Sequence, residues 1–179
     1  DIQGLTRAAI VNFQNHKIVE GGSTITQQLS RVVFLNTQKN VWRKLREMRL
    51  AQKVEENFDK KQILERYLNL VYLGSGAYGV ADAAWIYFGK SVDQLTLAEI
   101  ATIAGITPAP SAYSPLENLE GAKQRRNLVL QRMEEEGFIT SEEAKEAIAS
   151  ELVTNRQEPK RLDRKIPYFT DYIQIELPK

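Results

Sequence analysis

The sequence predicts a mainly α-helical domain that ends in a polar linker and a β-strand. Three observations carry this. Apolar residues recur at three- and four-residue spacing along most of the chain. Helix-start signals stand where those stretches open: Thr96 lies three residues before Glu99, and Thr140 three before Glu143. Only the last stretch, IPYFTDYIQIEL, alternates apolar and polar residues in the manner of a strand.

The elements follow in order. Leu5, Ala8, Ala9, Val11, Phe13 and Ile18 keep a loose helical spacing that stops at Gly21-Gly22. Thr24 to Leu35 reads as a second helix, capped by Ser23 or Thr24. Trp42, Leu45, Met48, Leu50, Ala51, Val54 and Phe58 outline a long amphipathic helix. Asp59 caps the next, with Ile63, Leu64, Tyr67, Leu68 and Val71 apolar. GSGAYG, from Gly74 to Gly79, is a break, and Val80 to Phe88 is an apolar helix closed by Gly89. Thr96 caps LAEIATIAGI, and three prolines then keep Thr107 to Pro115 out of helix. Helices over Leu119–Glu136 and Ser141–Ser150 complete the set, before the polar stretch TNRQEPKRLDRK. Trp42, Trp85 and Tyr67 read as core aromatics, and His16 as a surface residue. VVFL, Val32 to Leu35, fits either a core or an apolar surface made with Phe13, Ile18 and Val19.

Composition narrows the chemistry. With 24 Lys plus Arg against 23 Asp plus Glu, total charge says nothing of partners, and only local pattern can. The absence of Cys excludes thiol nucleophiles and thiolate metal sites. A single His makes a His-rich metal site or a histidine triad a poor fit. No run of eighteen apolar residues is present. The chain opens without Met and runs directly into a periodic segment, as a piece of a longer protein would.

Two local patterns stand out. EGGSTITQQLSR gathers Ser23, Thr24, Thr26, Gln27 and Gln28, five uncharged hydrogen-bonding side chains in six positions, which neither a core nor an ordinary surface explains. Capping by Ser23 and Thr24 explains part of this but not two adjacent glutamines. Next, Arg31, Lys39, Arg43, Lys44, Arg46, Arg49 and Lys53 face one anion, Glu47. A merely solvated helix face mixes its signs, as EENFDKKQILER does downstream, so the imbalance favours an anion site. Glu47 fits a helix salt bridge with Arg43, or a carboxylate that orients cations, binds a metal or handles a proton.

Four segments stand in order: GGSTITQQ (21–28), RKLRE (43–47), ILERYLNLVYLGSGAYGV (63–80) and LAEIATIAGITPAPSAYSP (97–115). Together they resemble the peptidoglycan glycosyltransferase domain, family 51 of the glycosyltransferases, found in bifunctional class A penicillin-binding proteins and monofunctional transglycosylases. The resemblance implies a lysozyme-like helical fold with a small membrane-facing lobe. Residues 1–151 would be the glycosyltransferase domain, and 152–179 a linker and the start of the connection to a transpeptidase domain. It implies polymerisation of lipid II onto a nascent glycan strand for the cell wall, at the extracytoplasmic face of the bacterial cytoplasmic membrane.

Carried over by position, the resemblance assigns Glu47 a catalytic role. It makes Ser23, Thr24, Gln27, Gln28, Arg31, Lys39, Arg43, Lys44 and Asn69 substrate-binding, with the basic residues on the pyrophosphate. Asn69 is also read as stabilising the turn into GSGAYG. Arg31 stands where Lys is commoner. The resemblance leaves room for a divalent cation, Mg or Mn, near Glu47, and implies no organic cofactor. The family's first motif, which supplies the general base, normally precedes a segment like DIQGLTRA, so that base is expected upstream of Asp1. On this reading the 179 residues bind substrate but barely turn it over. Two other functions compete. A lytic transglycosylase or other lysozyme-like hydrolase has no pyrophosphate to hold, which the cationic cluster argues against. A basic helical nucleic-acid module gives GGSTITQQ no task, so nucleic acid is not an expected partner.

Overall fold

The computed structural model describes residues 23–34 and 41–159, apart from the side chains of Phe34, Val41 and Arg43. The chain divides into two compact units, Asp1–Tyr67 and Leu68–Lys179. The described residues are mostly helical, as expected, with one isolated bridge, Tyr72 to Tyr78, in place of any strand. The opening periodic segment, His16, Leu35, Lys39 and the expected C-terminal strand lie outside the described residues.

In the first unit, α1 (Ile25–Phe34) starts at Thr24, whose Oγ1 accepts the amide of Gln27 at 3.2 Å. It packs on α2 (Val41–Asn57). The buried side chains are Thr26, Leu29 and Ser30 on α1, and Glu47, Ala51 and Val54 on α2. Thr26 Oγ1 also donates to Glu55 Oε1 at 2.7 Å, a second tie between the helices. Asp59 opens α3 (Lys60–Leu70): its Oδ1 accepts from Gln62 N at 2.8 Å, and Gln62 Oε1 accepts from Asp59 N at 3.1 Å. Ile63 and Tyr67 are its buried side chains.

The apolar set expected on α2 splits. Ala51 and Val54 are buried, but Trp42 is 72% exposed, and Leu45 and Met48 are exposed too. The expectation of Trp42 as a core aromatic is therefore corrected. The buried stripe of α2 runs through Glu47, Ala51 and Val54, and Trp42, five positions before Glu47, lies about 140° round the helix from it. On α1, Ile25 and Val32 are likewise exposed.

The second unit contains α4 (Val80–Phe88), α5 (Leu97–Ile106), α6 (Leu119–Glu135) and α7 (Ser141–Ala149), with a short 3-10 turn at Val92–Gln94 that the sequence reading did not include. Gly79 opens α4 at φ 83°, where a Cβ would run into the backbone of Asn69, so glycine is required there. Gly89 closes it in the left-handed conformation. Both expected capping boxes are present, Thr96 with Glu99 and Thr140 with Glu143. Ala98, Ala101, Leu130 and Ala147 form a small core among α5, α6 and α7. The alanines on α5 leave room for α6 to come near, and a Cβ on Gly105 would stand 2.9 Å from the carbonyl carbon of Arg125. Arg126, almost fully buried, donates to the carbonyls of Ile148 and Ser150 at 2.8 and 3.0 Å and so closes the end of α7.

After α7 the chain runs extended along the end of α4. Leu152 is buried, Asn155 N donates to Tyr87 O at 2.8 Å, and Gln157 N to Ile86 O at 3.0 Å. Trp85 is half-buried rather than a core aromatic, because its indole Nε1 reaches out to Glu158 O at 3.1 Å.

Candidate pyrophosphate site

The site is built on the α1–α2 pair. Ser23 precedes the Thr24 cap, Gln27 and Arg31 lie one helical turn apart on α1, and Lys44 and Glu47 lie one turn apart on α2. These spacings bring the five side chains to one place. Arg31 Nε donates to Glu47 Oε1 at 3.0 Å, and its NH2 to Oε2 at 3.3 Å. Lys44 Nζ donates to Glu47 Oε2 at 3.2 Å, to Ser23 Oγ at 2.8 Å and to Gln27 Oε1 at 3.2 Å. Arg31 NH2 also reaches Ser23 Oγ at 3.4 Å.

The exposures assign the roles. The Glu47 side chain has no exposed surface, whereas Arg31 keeps 43% and Lys44 45% of theirs. One buried carboxylate therefore holds two cations that remain open to solvent, and the group carries a net positive charge. Burial by itself would push the Glu47 carboxyl up. The hydrogen bonds and charges of Arg31 and Lys44 more than reverse this and hold it below its ordinary value of 4.5. A carboxylate so held is a weak base, suited to keeping cations in place rather than taking a proton.

Of the residues named from the sequence, Ser23, Gln27, Arg31, Lys44 and Glu47 converge. Thr24 caps α1, with its Oγ1 on the Gln27 amide. Gln28 faces inward, its Oε1 accepting from Tyr67 OH at 3.1 Å and its Nε2 donating to Ser23 O at 3.3 Å. Asn69 is exposed and lies in the second unit, where its backbone backs onto Gly79. Lys39 and the Arg43 side chain lie outside the described residues. Sequence reasoning missed the bond of Tyr67, whose phenol makes it more than a core ring. A buried Tyr, whose hydroxyl needs a partner, was the available signal.

Among the described residues this donor set does not fit a divalent cation. Glu47 is a lone carboxylate with both oxygens facing cations, and no group of three His, Cys, Asp or Glu is placed to hold a metal among the described residues.

Comparison with known proteins identifies the family. The profile of the Transglycosylase family matches residues 1–134. Penicillin-binding protein 1A of Aquifex aeolicus is 48% identical over 174 residues, covering 97% of this chain and 24% of that protein. The Escherichia coli protein of the same name is 43% identical over 177 residues, covering 99% of this chain and 21% of its own length. The crystal structure of penicillin-binding protein 1A from Haemophilus influenzae superposes with a TM-score of 0.53 at 37% identity, over 83% of this chain and 19% of that one. The chain thus spans about a quarter or less of the length of these relatives. A match over three quarters of the sequence, together with relatives 48% and 43% identical over nearly all of it, places the chain in the transglycosylase family.

Proposed function

We propose that the chain is a peptidoglycan glycosyltransferase domain that polymerises lipid II into β-1,4-linked glycan and releases undecaprenyl pyrophosphate. One observation carries the reading: Arg31 and Lys44 are both anchored on buried Glu47 yet keep nearly half their side-chain surface open. Fixed, partly exposed cations suit a group on which negative charge develops, and they cost no reorganisation when it does.

In the proposed step the 4-hydroxyl of the lipid II GlcNAc attacks the anomeric carbon of the growing strand. The bond from that carbon to the pyrophosphate oxygen breaks, the new glycosidic bond forms with inversion, and the hydroxyl proton passes to a base. Arg31 and Lys44 take up the charge left on the pyrophosphate, and Ser23 and Gln27 add neutral contacts. Glu47 aims the two cations, and its depressed pKa leaves proton removal to a different carboxylate.

The exposed apolar set Ile25, Val32, Trp42, Leu45 and Met48 supports a membrane surface as partner, where lipid-linked substrate would be met. The penicillin-binding proteins among the relatives support a longer, bifunctional parent. In it, residues 1–151 would be the catalytic domain, and 152–179 would lead to a transpeptidase domain on the extracytoplasmic face of the bacterial cytoplasmic membrane. The test is lipid II polymerisation by the parent protein carrying Glu47→Gln. Removing a group from a preorganised charge site costs about 10²–10³ in rate. Near-normal glycan synthesis by a folded Glu47→Gln protein would refute the role of Glu47, and absence of glycan synthesis by the unmodified parent protein would refute the glycosyltransferase reading.

A further inference from the structure

We propose that Tyr67 is a positioning residue for the cationic site, acting through Gln28 and Ser23; the inference rests on the function proposed above. Tyr67 on α3 is almost fully buried, and its hydroxyl lies 3.1 Å from Gln28 Oε1. Gln28 Nε2 lies 3.3 Å from the carbonyl of Ser23, the residue just ahead of the Thr24 cap. Ser23 Oγ in turn receives Lys44 Nζ at 2.8 Å and Arg31 NH2 at 3.4 Å. Hydrogen bonds, joined through the covalent frame of Ser23, thus lead from α3 to both cations.

The chemistry of each group fixes its direction. A carbonyl only accepts, so the Ser23 end of the amide must be Nε2. That leaves Oε1 towards Tyr67, whose phenol supplies the proton. Held at both ends, the amide cannot turn about its last torsion, and the backbone that carries the Ser23 hydroxyl is held with it. With the phenol gone, Oε1 stands unpaired in a part-buried setting, and Gln28 is free to leave the Ser23 carbonyl. Gln28 thereby serves as an internal strut, whereas its neighbour Gln27 meets Lys44 directly.

The experiment is a double-mutant cycle in the full-length parent protein, with Tyr67→Phe, Gln28→Met and the pair. Lipid II polymerisation and the affinity for inorganic pyrophosphate are both read, with Tm alongside. Tyr67→Phe should lower kcat/KM and pyrophosphate affinity about fivefold, the worth of one such hydrogen bond, with Tm falling by only a few degrees. In the Gln28→Met background it should add nothing, because the coupled bond is already gone. Unchanged pyrophosphate affinity in Tyr67→Phe, or an equal loss in both backgrounds, overturns the proposal. Absence of pyrophosphate binding by the unmodified protein overturns it too. A parent protein that binds pyrophosphate but makes no glycan refutes the glycosyltransferase reading alone, and the pyrophosphate cycle still decides the role of Tyr67.

Discussion

Arg31 meets Glu47 with two of its nitrogens, Nε on one carboxylate oxygen at 3.0 Å and NH2 on the other at 3.3 Å. This forked pairing is what an ammonium in the same place could not make. Arg31→Lys should therefore fold normally but leave the cation loosely aimed. The expected result is about tenfold lower kcat/KM for lipid II, since a charge-assisted bond is worth roughly 1.5–3 kcal/mol and one of two is lost. Steady-state kinetics of the parent protein check this, and an unchanged value would show that the fork plays no part in turnover.

Glu47 also links the site to acid. Its folded pKa is depressed, so its contribution to stability is complete above the ordinary value of 4.5 and is lost as pH falls through the lower folded value. Arg31 and Lys44 then lose their shared partner while staying charged. Denaturation of the wild-type chain should become easier as pH drops below about 4.5, and Glu47→Gln should show a flatter dependence in that range. Parallel curves for the two proteins would contradict it.

At the α5–α6 crossing, Gly105→Ala sets two effects against each other. Alanine favours a helix interior over glycine by about 1 kcal/mol. Here the new Cβ would meet the Arg125 carbonyl carbon at 2.9 Å and its oxygen at 3.0 Å, backbone atoms that yield only if α6 shifts. Overpacking of this kind costs about 1–3 kcal/mol, so the steric term should win and urea denaturation should show a net loss. A stabilised variant would mean that the two helices separate freely.

The exposed apolar side chains of the first unit should bind lipid. Trp42→Ser together with Met48→Ser removes two side chains that are 72% and 51% exposed, so folding stability should barely change. Co-sedimentation with phosphatidylglycerol vesicles should fall about tenfold or more, because burying one large apolar side chain contributes about 1.5–3 kcal/mol. Vesicle binding equal to wild type would assign these side chains to something other than a bilayer.

Much of this architecture was legible in the sequence because the signals were local. Thr96 with Glu99 and Thr140 with Glu143 are three-residue patterns that name helix starts, and both are capping boxes in the fold. The charge imbalance around Glu47 was equally readable, and Lys44 lies within one turn of it. What could not be read depends on distant partners. Tyr67 and Gln28 are 39 residues apart, so no window on the sequence shows that one holds the other. Trp42 misled for a different reason: periodicity gives the apolar side of a helix but not which apolar side meets a neighbour. On α2 the packed stripe is centred on a carboxylate, Glu47, and the largest apolar ring was left outside. The polar run from Thr154 reads as a free linker by composition, yet the backbone of Asn155 and Gln157 is bonded to α4, and backbone bonding leaves no trace in side-chain polarity.

That bonded segment has a mechanical consequence. Its contacts with α4 run in opposite chain order: Glu158 with Trp85, Gln157 with Ile86, Asn155 with Tyr87. Tension directed away from α4 on the chain beyond Pro159 would load them one at a time, beginning with the indole of Trp85. The segment peels like a strip of tape instead of shearing as a block, paying out roughly 3.3 Å for each residue released. Leu152, buried below the last of these bonds, is where the peeling meets its first apolar resistance. Whatever pulls on this end draws out a short leash before the force reaches α4.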